Sequence, residues 1–459
     1  MSIEQEALKA VDESFNELVD MFQSILRIDT SNPPGNEVKL AEYIHTILSK
    51  EGLDCEVIES EPGRGNVIAY MDGESGKKLM YLSHLDVVPV QNPSKWKHPP
   101  FSATIDGNWI YGRGAVDCKS LVAAQLFSLI VLKRTGIKPK LKLIFASTAD
   151  EEMGGRAGLG WLVENAPEKV RADYVVNEGG GLPIRLRNRG LLYLVDVAEK
   201  GVCWVKLRFK GRSGHASMPY VKDNAMYMTG SAIKALLEYK LKAHYTNATK
   251  KLIKDLLTFQ YGFMGKVIFR ILTSPLEDLF MTLIERKQSE YASFLKSITR
   301  LTISPTIVRG GVKENVIPSE CELTLDCRLL PGQDRNYVLN CISDALKDIE
   351  SYEIEVVKYS EASQSPLVDE FLMSIERVMN SLLPDFNVRV APYIMPASSD
   401  SRHARKLGAV VYGFAPLSPT SDCREIVKLA HGDNERIDLS SLKLMAKFFT
   451  LLPLKWVFK

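Results

Sequence analysis

The sequence predicts an α/β protein of two domains, a largely buried sheet domain interrupted by a smaller α+β domain of ferredoxin-like order. Three observations predict this. A chain of 459 residues exceeds what one ordinary hydrophobic core serves. Up to about residue 200, apolar runs of four to eight residues alternate with helical segments, as in a buried α/β sheet. From about Gly201 the order becomes β-α-β-β-α-β, and after about Ser363 the first pattern resumes.

The elements follow in order. MSIEQEALKAVDESFNELVDMF reads as one amphipathic helix, with Glu4, Glu6, Asp12 and Glu13 where a signal peptide needs a basic start and an apolar run. It ends near RIDTSNPPGNE, where Pro33, Pro34 and Gly35 force a turn before a helix from roughly Glu37 to Lys50. Strands CEVIES, NVIAYMDG and KLMYLSHLDVVPV come next, then a helix from Ser120 to Lys133 and the strand LKLIFASTADEE. A helix near Gly158 to Asn165 precedes the strand DYVVNEGGG. In the inserted domain, VCWVKLRFKG, LTISPTIVRGG, CELTLDCRLLPG and YEIEVVKYS are strands; NAMYMTGSAIKALLEYK and Arg335 to Ile349 are helices. The α/β pattern returns with a helix near Val368 to Leu382, the strand GAVVYGF and a closing helix from Leu439 to Leu451. The expected division is 1–200, 201–362 and 363–459. Residues 240–300 exceed this plan, with LLTFQYGFMGKVIFRIL and LEDLFMTLI, and predict an extra helical layer or an oligomer contact. Asp255, Lys266, Arg270 and Pro275 break up the apolar run and weigh against a membrane-surface helix.

Composition narrows the partners. A net charge of +2, with 45% hydrophobic and 25% charged residues, gives no reason to expect nucleic acid or a membrane, and favours a small-molecule substrate. No uncharged stretch is long enough to span a bilayer. Seven scattered cysteines without a CxxC pair fit a reducing cytoplasm and neither a disulfide framework nor a thiolate zinc site.

The chemistry concentrates at strand ends. His84 and Asp86, two apart on a strand, share one face, so the carboxylate could hold one imidazole nitrogen while the other binds a metal. A surface histidine near an aspartate is the commoner reading of that pair alone. In IYGRGAVDCKS, two glycines flank Arg113 and deliver Asp117 to a helix start, as a cap or as a metal bridge. STADEEMGG stacks Asp150, Glu151 and Glu152, whose mutual repulsion a metal would relieve by taking one carboxylate and leaving its neighbour as a base. A solvated acidic loop is the bland alternative. Glu178 ends another strand, and LAHGDNERI adds His431 and Glu435. These oxygen and nitrogen donors suit zinc, cobalt or manganese.

The ordered motifs SHLDVVP, GRGAVDCKS, ADEEMGG, NEGGG, GRSGHASMP, NVIP with LDCRLLPG, SSDSR and AHGDNERI, from about Ile28 to Ile437, resemble the peptidase M20 family of metallohydrolases. The resemblance implies a zinc-peptidase-like catalytic domain, a mixed sheet flanked by helices, carrying the inserted domain as lid and dimerisation element. It implies two divalent metal ions, with His84 and His431 on opposite metals, Asp117 bridging, and Glu152 and Glu178 as terminal carboxylates. Glu151 resembles the general base that activates the attacking water and later protonates the leaving amine; Asp86 resembles the partner of His84. His215 resembles a histidine that reaches across a homodimer to the scissile carbonyl oxygen, although read alone it is equally a turn residue. Asn315 and Arg328 resemble binders of the substrate carboxylate, and Ser399, Asp400 and Arg402 match a segment near the pocket, Arg402 being a further carboxylate binder. The implied activity is hydrolysis of a peptide or N-acyl amide with a free carboxylate, of carboxypeptidase or deacylase type, desuccinylase included. A dipeptidase or aminopeptidase is the alternative, and a non-catalytic binding protein a remote one. Cys118 departs from the family pattern, follows a peptide that is commonly cis there, and predicts sensitivity to thiol reagents.

Overall fold

The computed structural model describes residues 1–218, 223–274, 277, 281–282, 289–349 and 351–458. Most of LEDLFMTLI, together with Pro275 and Pro219 of the GRSGHASMP motif, lies outside them. The chain opens with two helices rather than one, Ile3–Glu13 and Phe15–Arg27. The break is at Ser14, whose hydroxyl donates to the Ala10 carbonyl at 2.5 Å and competes with the backbone for it.

A ten-stranded mixed sheet forms the main layer. Across it lie Asp54–Glu59, Gly65–Met71, Lys142–Thr148, Lys78–His84, Tyr174–Asn177, Val410–Gly413 and Gly190–Glu199. Ser363–Gln364, Pro183–Arg185 and Asn387–Met395 all pair with Gly190–Glu199, the last in parallel. The sequence pattern did not distinguish Gly190–Glu199 or Asn387–Met395 as strands. The first is buried at all its positions, so it lacks the alternation that marks a half-exposed strand. Helix Lys119–Thr135 is buried from Lys119 to Leu132 between this sheet and helix Leu439–Leu451. One core joins the first residues to the last, from Ala7 to Trp456.

A separate four-stranded antiparallel sheet comprises Thr302–Gly310, Glu320–Leu329, Gly201–Lys210 and Tyr352–Ser360, in that spatial order. Taken in chain order these are its second, third, first and fourth strands, the ferredoxin-like arrangement. Its own core contains Val205, Leu207, Leu323, Leu325 and Ile342, drawn from alternating strand positions and helix Arg335–Ala345.

The additional helices, Asn247–Tyr261, Phe263–Leu272 and Ser289–Thr299, belong spatially to the main sheet. Leu252 and Ile298 pack with Leu192, Leu194 and Ala391, and Phe294 stacks on Tyr393 at 6.1 Å. Asn247–Tyr261 and Ser289–Thr299 form an extra layer over the strands around residues 190–199 and 387–395, and Phe263–Leu272 packs on that layer through Ile268, Phe269 and Leu272. No helix among the described residues is long and apolar enough to cross a membrane.

Candidate active site

Three adjacent parallel strands set the site. Lys142–Thr148, Lys78–His84 and Tyr174–Asn177 run in one direction, so their C-terminal ends open on one edge of the sheet. They deliver Glu151 and Glu152, His84, and Glu178. His84 Nε2 lies 3.0 Å from Asp117 Oδ1 and 3.4 Å from Glu178 Oε2. The other oxygen of Asp117 is 3.1 Å from His431 Nε2, which lies 3.2 Å from Glu152 Oε1. Two donor groups result: His84, Asp117, Cys118 and Glu178, and Asp117, Glu152 and His431. Asp117 is common to both.

The loop carrying Asp117 is held by a residue whose role the sequence did not reveal. Buried Glu435 accepts the backbone N–H groups of Gly114, Val116 and Asp117 at 3.0, 2.8 and 3.0 Å, and pairs with Arg113 at 2.6 Å. Arg113 also donates to the carbonyl of His431 at 3.3 Å, tying this loop to the other histidine. Glu435 was visible only as an acid near His431; its partners lie more than 300 residues away in sequence.

The strand ends at His84, so strand alternation does not place Asp86. Instead, His84 Nδ1 meets the backbone oxygen of Asp86 at 3.0 Å and its Oδ1 at 3.5 Å. The Asp86 carboxylate spends its other capacity on the N–H groups of Glu151 and Glu152, at 3.0 and 3.1 Å, and on Asn32 Nδ2 at 2.8 Å. Asp86 therefore couples the histidine to the acidic turn. Within that turn Asp150 takes the left-handed conformation at φ 69° and ion-pairs with Arg64, which also holds Glu37 at 2.9 Å. The three-acid stack thus divides, with Asp150 neutralised behind the site. Gly155 passes so close to Asp400 that a Cβ would lie 2.1 Å from Oδ1.

Electrostatics follow from crowding. Burial alone would lower the pKa of His84, but the carboxylates of Glu178, Asp117 and Asp86 outweigh it and hold the imidazole well above its usual range. Asp117 and Glu152 push His431 up to about 10. Burial raises Glu178 to about 7, and burial together with Glu178 raises Glu151 well above the ordinary carboxyl. Burial opposes ionisation of Asp117, yet both histidines hold it below the usual range. A cluster of carboxylates retains protons when no cation neutralises it. Glu152 Oε1 is buried and has no satisfied hydrogen bond among the described residues, with His431 Nε2 3.2 Å away. Orphaned acceptor, shared carboxylate and imidazole donors fit divalent cations. Glu151 belongs to neither donor group.

Cys118 is buried, its thiol pushed up to about 12 by burial, and its sulfur accepts the His84 N–H at 3.3 Å. A buried protonated thiol reacts slowly, so the expected sensitivity to thiol reagents is not supported. The Asp117–Cys118 peptide is cis.

Of the remaining sequence candidates, His215, Asn315 and Arg328 lie on the inserted domain, whereas Arg402, Ser399 and Asp400 border the acidic turn and the strand ends beneath it. His215 is exposed on a two-residue strand paired with Val316–Ile317, and its Nδ1 meets Ser217 Oγ at 2.7 Å. Exposed Asn315 accepts the Ala216 N–H at 3.0 Å, so these two residues share one ribbon. Arg328 forks onto Asp326 at 2.7 and 3.0 Å. Arg402 reaches Ser398 at 3.3 Å and lies beside Gly154 at the acidic turn. Ser399 bonds Glu199 and Asn177, while Asp400 accepts from Thr148 at 3.0 Å.

Comparison with known proteins places the chain in a family. Residues 80–455 match the family described as Peptidase family M20/M25/M40. A probable carboxypeptidase S-like 2 of Dictyostelium discoideum is 32% identical, over 82% of this chain and 71% of that protein. N-fatty-acyl-amino acid synthase/hydrolase PM20D1 of Xenopus tropicalis is 28% identical, over 95% of this chain and 85% of that protein. The crystal structure of the M20 family metallo-carboxypeptidase Sso-CP2 from Sulfolobus solfataricus shares the fold, with TM-score 0.67 at 20% identity, covering 95% of this chain and 99% of that one. The chain belongs to peptidase family M20 and is a metal-dependent hydrolase.

Proposed function

We propose that this protein hydrolyses the amide bond of a small N-acyl amino acid or peptide whose residue beyond the scissile bond bears a free carboxylate. The observation that carries this reading is the pair of donor groups sharing Asp117, with Glu151 beside them but in neither. His84, Asp117 and Glu178 would hold one divalent cation, and Asp117, Glu152 and His431 the other, with zinc the first candidate and cobalt or manganese accepted by the same donors. When bound, such ions lower the pKa of water and polarise a carbonyl oxygen.

The chain's own residues supply the rest. Glu151 takes a proton from the attacking water and passes it to the departing amine. Asp86 orients Glu151 through its backbone N–H while contacting His84, so base and imidazole are set together. His215, contributed by the partner subunit of a homodimer, donates to the carbonyl oxygen as negative charge develops there. Asn315, Arg328 and Arg402 bind the substrate carboxylate, a role suited to planar guanidinium groups. Arg328 would then share its fork between substrate and Asp326. The proposed division is a catalytic part, 1–200 and 363–459, and a lid, 201–362, whose strands carry a core of their own while its helices Asn247–Tyr261 and Ser289–Thr299 pack on the main sheet.

The amino-acid-conjugate hydrolase among the relatives supports an N-acyl amino acid over a free dipeptide. The test is a panel of N-acetyl, N-succinyl and long-chain N-acyl amino acids beside free dipeptides, run on protein reconstituted with each metal. Hydrolysis confined to acylated substrates is expected. Exclusive cleavage of dipeptides with a free amine would overturn the substrate assignment.

A further inference from the structure

The helices Asn247–Tyr261 and Phe263–Leu272 form a tight hairpin. Gly262 makes the turn at φ 58°, and Gly265 lets the helices touch, since a Cβ there would sit 1.9 Å from the Leu257 carbonyl oxygen. One side of the hairpin is used for packing: Leu252, Ile253 and Leu272 are buried. The tip is not, with Tyr261 48%, Phe263 79% and Met264 58% exposed. Single exposed apolar residues are ordinary, but large ones grouped at a projecting turn form a patch that needs a reason.

The surroundings of the tip are cationic. Residues 240–272 hold seven lysines and arginines against the single acid Asp255, in a chain whose net charge is only +2. Asp255 is itself paired with Lys251 at 2.8 Å. Lys250 and Lys254 stand eleven and seven residues before Tyr261, a spacing that brings them to its helix face, and both are exposed. Beyond the turn, exposed Lys266 and Arg270 share a face at the i, i+4 spacing. The neighbouring turn adds exposed Arg187 and Arg189; the Arg187 guanidinium covers the Tyr261 ring at 5.7 Å, and its N–H meets Gln260 Oε1 at 3.3 Å.

An aromatic and methionine tip flanked by cations and nearly free of acids is complementary to an anionic bilayer interface. There, apolar side chains enter the acyl boundary and cations meet the headgroups. We propose that the tip of this hairpin, Tyr261 to Met264, docks the enzyme on an anionic lipid surface. Asp255, Lys266 and Arg270, which in sequence argue against a membrane helix, interrupt only a spanning or uniformly apolar pattern. In the folded hairpin Lys266 and Arg270 become the charges that the surface would meet.

The test is sedimentation of the full-length chain with vesicles of phosphatidylcholine, with and without phosphatidylserine. Binding is expected only with phosphatidylserine, and should weaken as salt is added. Phe263→Ser/Met264→Ser and Lys250→Glu/Lys254→Glu should each lower the bound-to-free ratio at least about tenfold, while keeping the wild-type melting temperature and hydrolysis of a water-soluble substrate. Absence of phosphatidylserine-dependent binding by the wild type, or unchanged binding by both variants, overturns the proposal. So does a wild-type chain that ignores vesicles but loses self-association when the tip is changed, which would assign the tip to contact between copies. Binding is read without turnover, on Glu151→Ala as well, so its failure and that of the hydrolase reading remain distinct.

Discussion

Asp117 and His215 illustrate two ways of presenting a polar side chain. The Asp117 loop is fixed by one buried carboxylate, Glu435, which takes three backbone N–H groups and a guanidinium. His215 stands exposed on a two-residue strand, with Ser217 as its hydrogen-bond partner. The first arrangement is complete within one chain. The second leaves the ring open to whatever approaches it, which the proposed function takes to be substrate. In the proposed function the metal donors are preorganised, and part of the charge stabilisation is left to assembly or closure.

The largest effect that would test this contrast is at the base. Glu151→Ala is expected to lower kcat by about 10³–10⁴-fold while leaving metal content unchanged, read by steady-state kinetics and elemental analysis of the same preparation. His84→Ala or His431→Ala should instead lose metal; full metal content in both would break the assignment of the donor groups. Next comes the bracket behind Asp117. Arg113→Met leaves a buried carboxylate unpaired and should cost about 3–5 kcal/mol, read as a lowered urea midpoint, with metal content falling as the loop loosens. His215→Ala should reduce kcat by roughly 10²–10³-fold with melting temperature and metal content unchanged, as for one lost oxyanion donor. Mixing it with Glu151→Ala sharpens the comparison, because a shared site would restore activity to the mixed dimer whereas a self-contained site would not. The smallest effect is expected for Asp326→Asn. Its pair with Arg328 is partly exposed, so stability should change by less than about 1 kcal/mol, while KM for carboxylate-bearing substrates shifts as the guanidinium is freed.

The strands that carry chemistry were legible because each couples a short apolar run to an acid or histidine at its end. Lys78–His84, Lys142–Thr148 and Tyr174–Asn177 all have this form. The β-α-β-β-α-β order of the inserted domain was equally readable, helped by the alternation of buried with more open positions along its central strands Gly201–Lys210 and Glu320–Leu329. The uniformly buried strand Gly190–Glu199 carried no such period. Supporting residues were also obscure. Asn32, Glu37 and Arg64 lie in or near a proline turn that suggests only a change of direction, yet they hold Asp86 and Asp150 from behind.

The sequence by itself determined the kinds of donor, their order along the chain and the strand ends that carry them, because hydrophobic period and side-chain chemistry are local properties. Tertiary structure decided which acids face one another. Asp150, Glu151 and Glu152 are consecutive, but Arg64 claims the first, while the third meets His431 and the second remains outside both donor groups. Glu435 became the anchor of a loop more than 300 residues earlier, and a helical segment embedded between the lid strands packed on the main sheet instead. Such pairings depend on which surfaces must leave water together and on where buried charges find partners, and no local pattern encodes either.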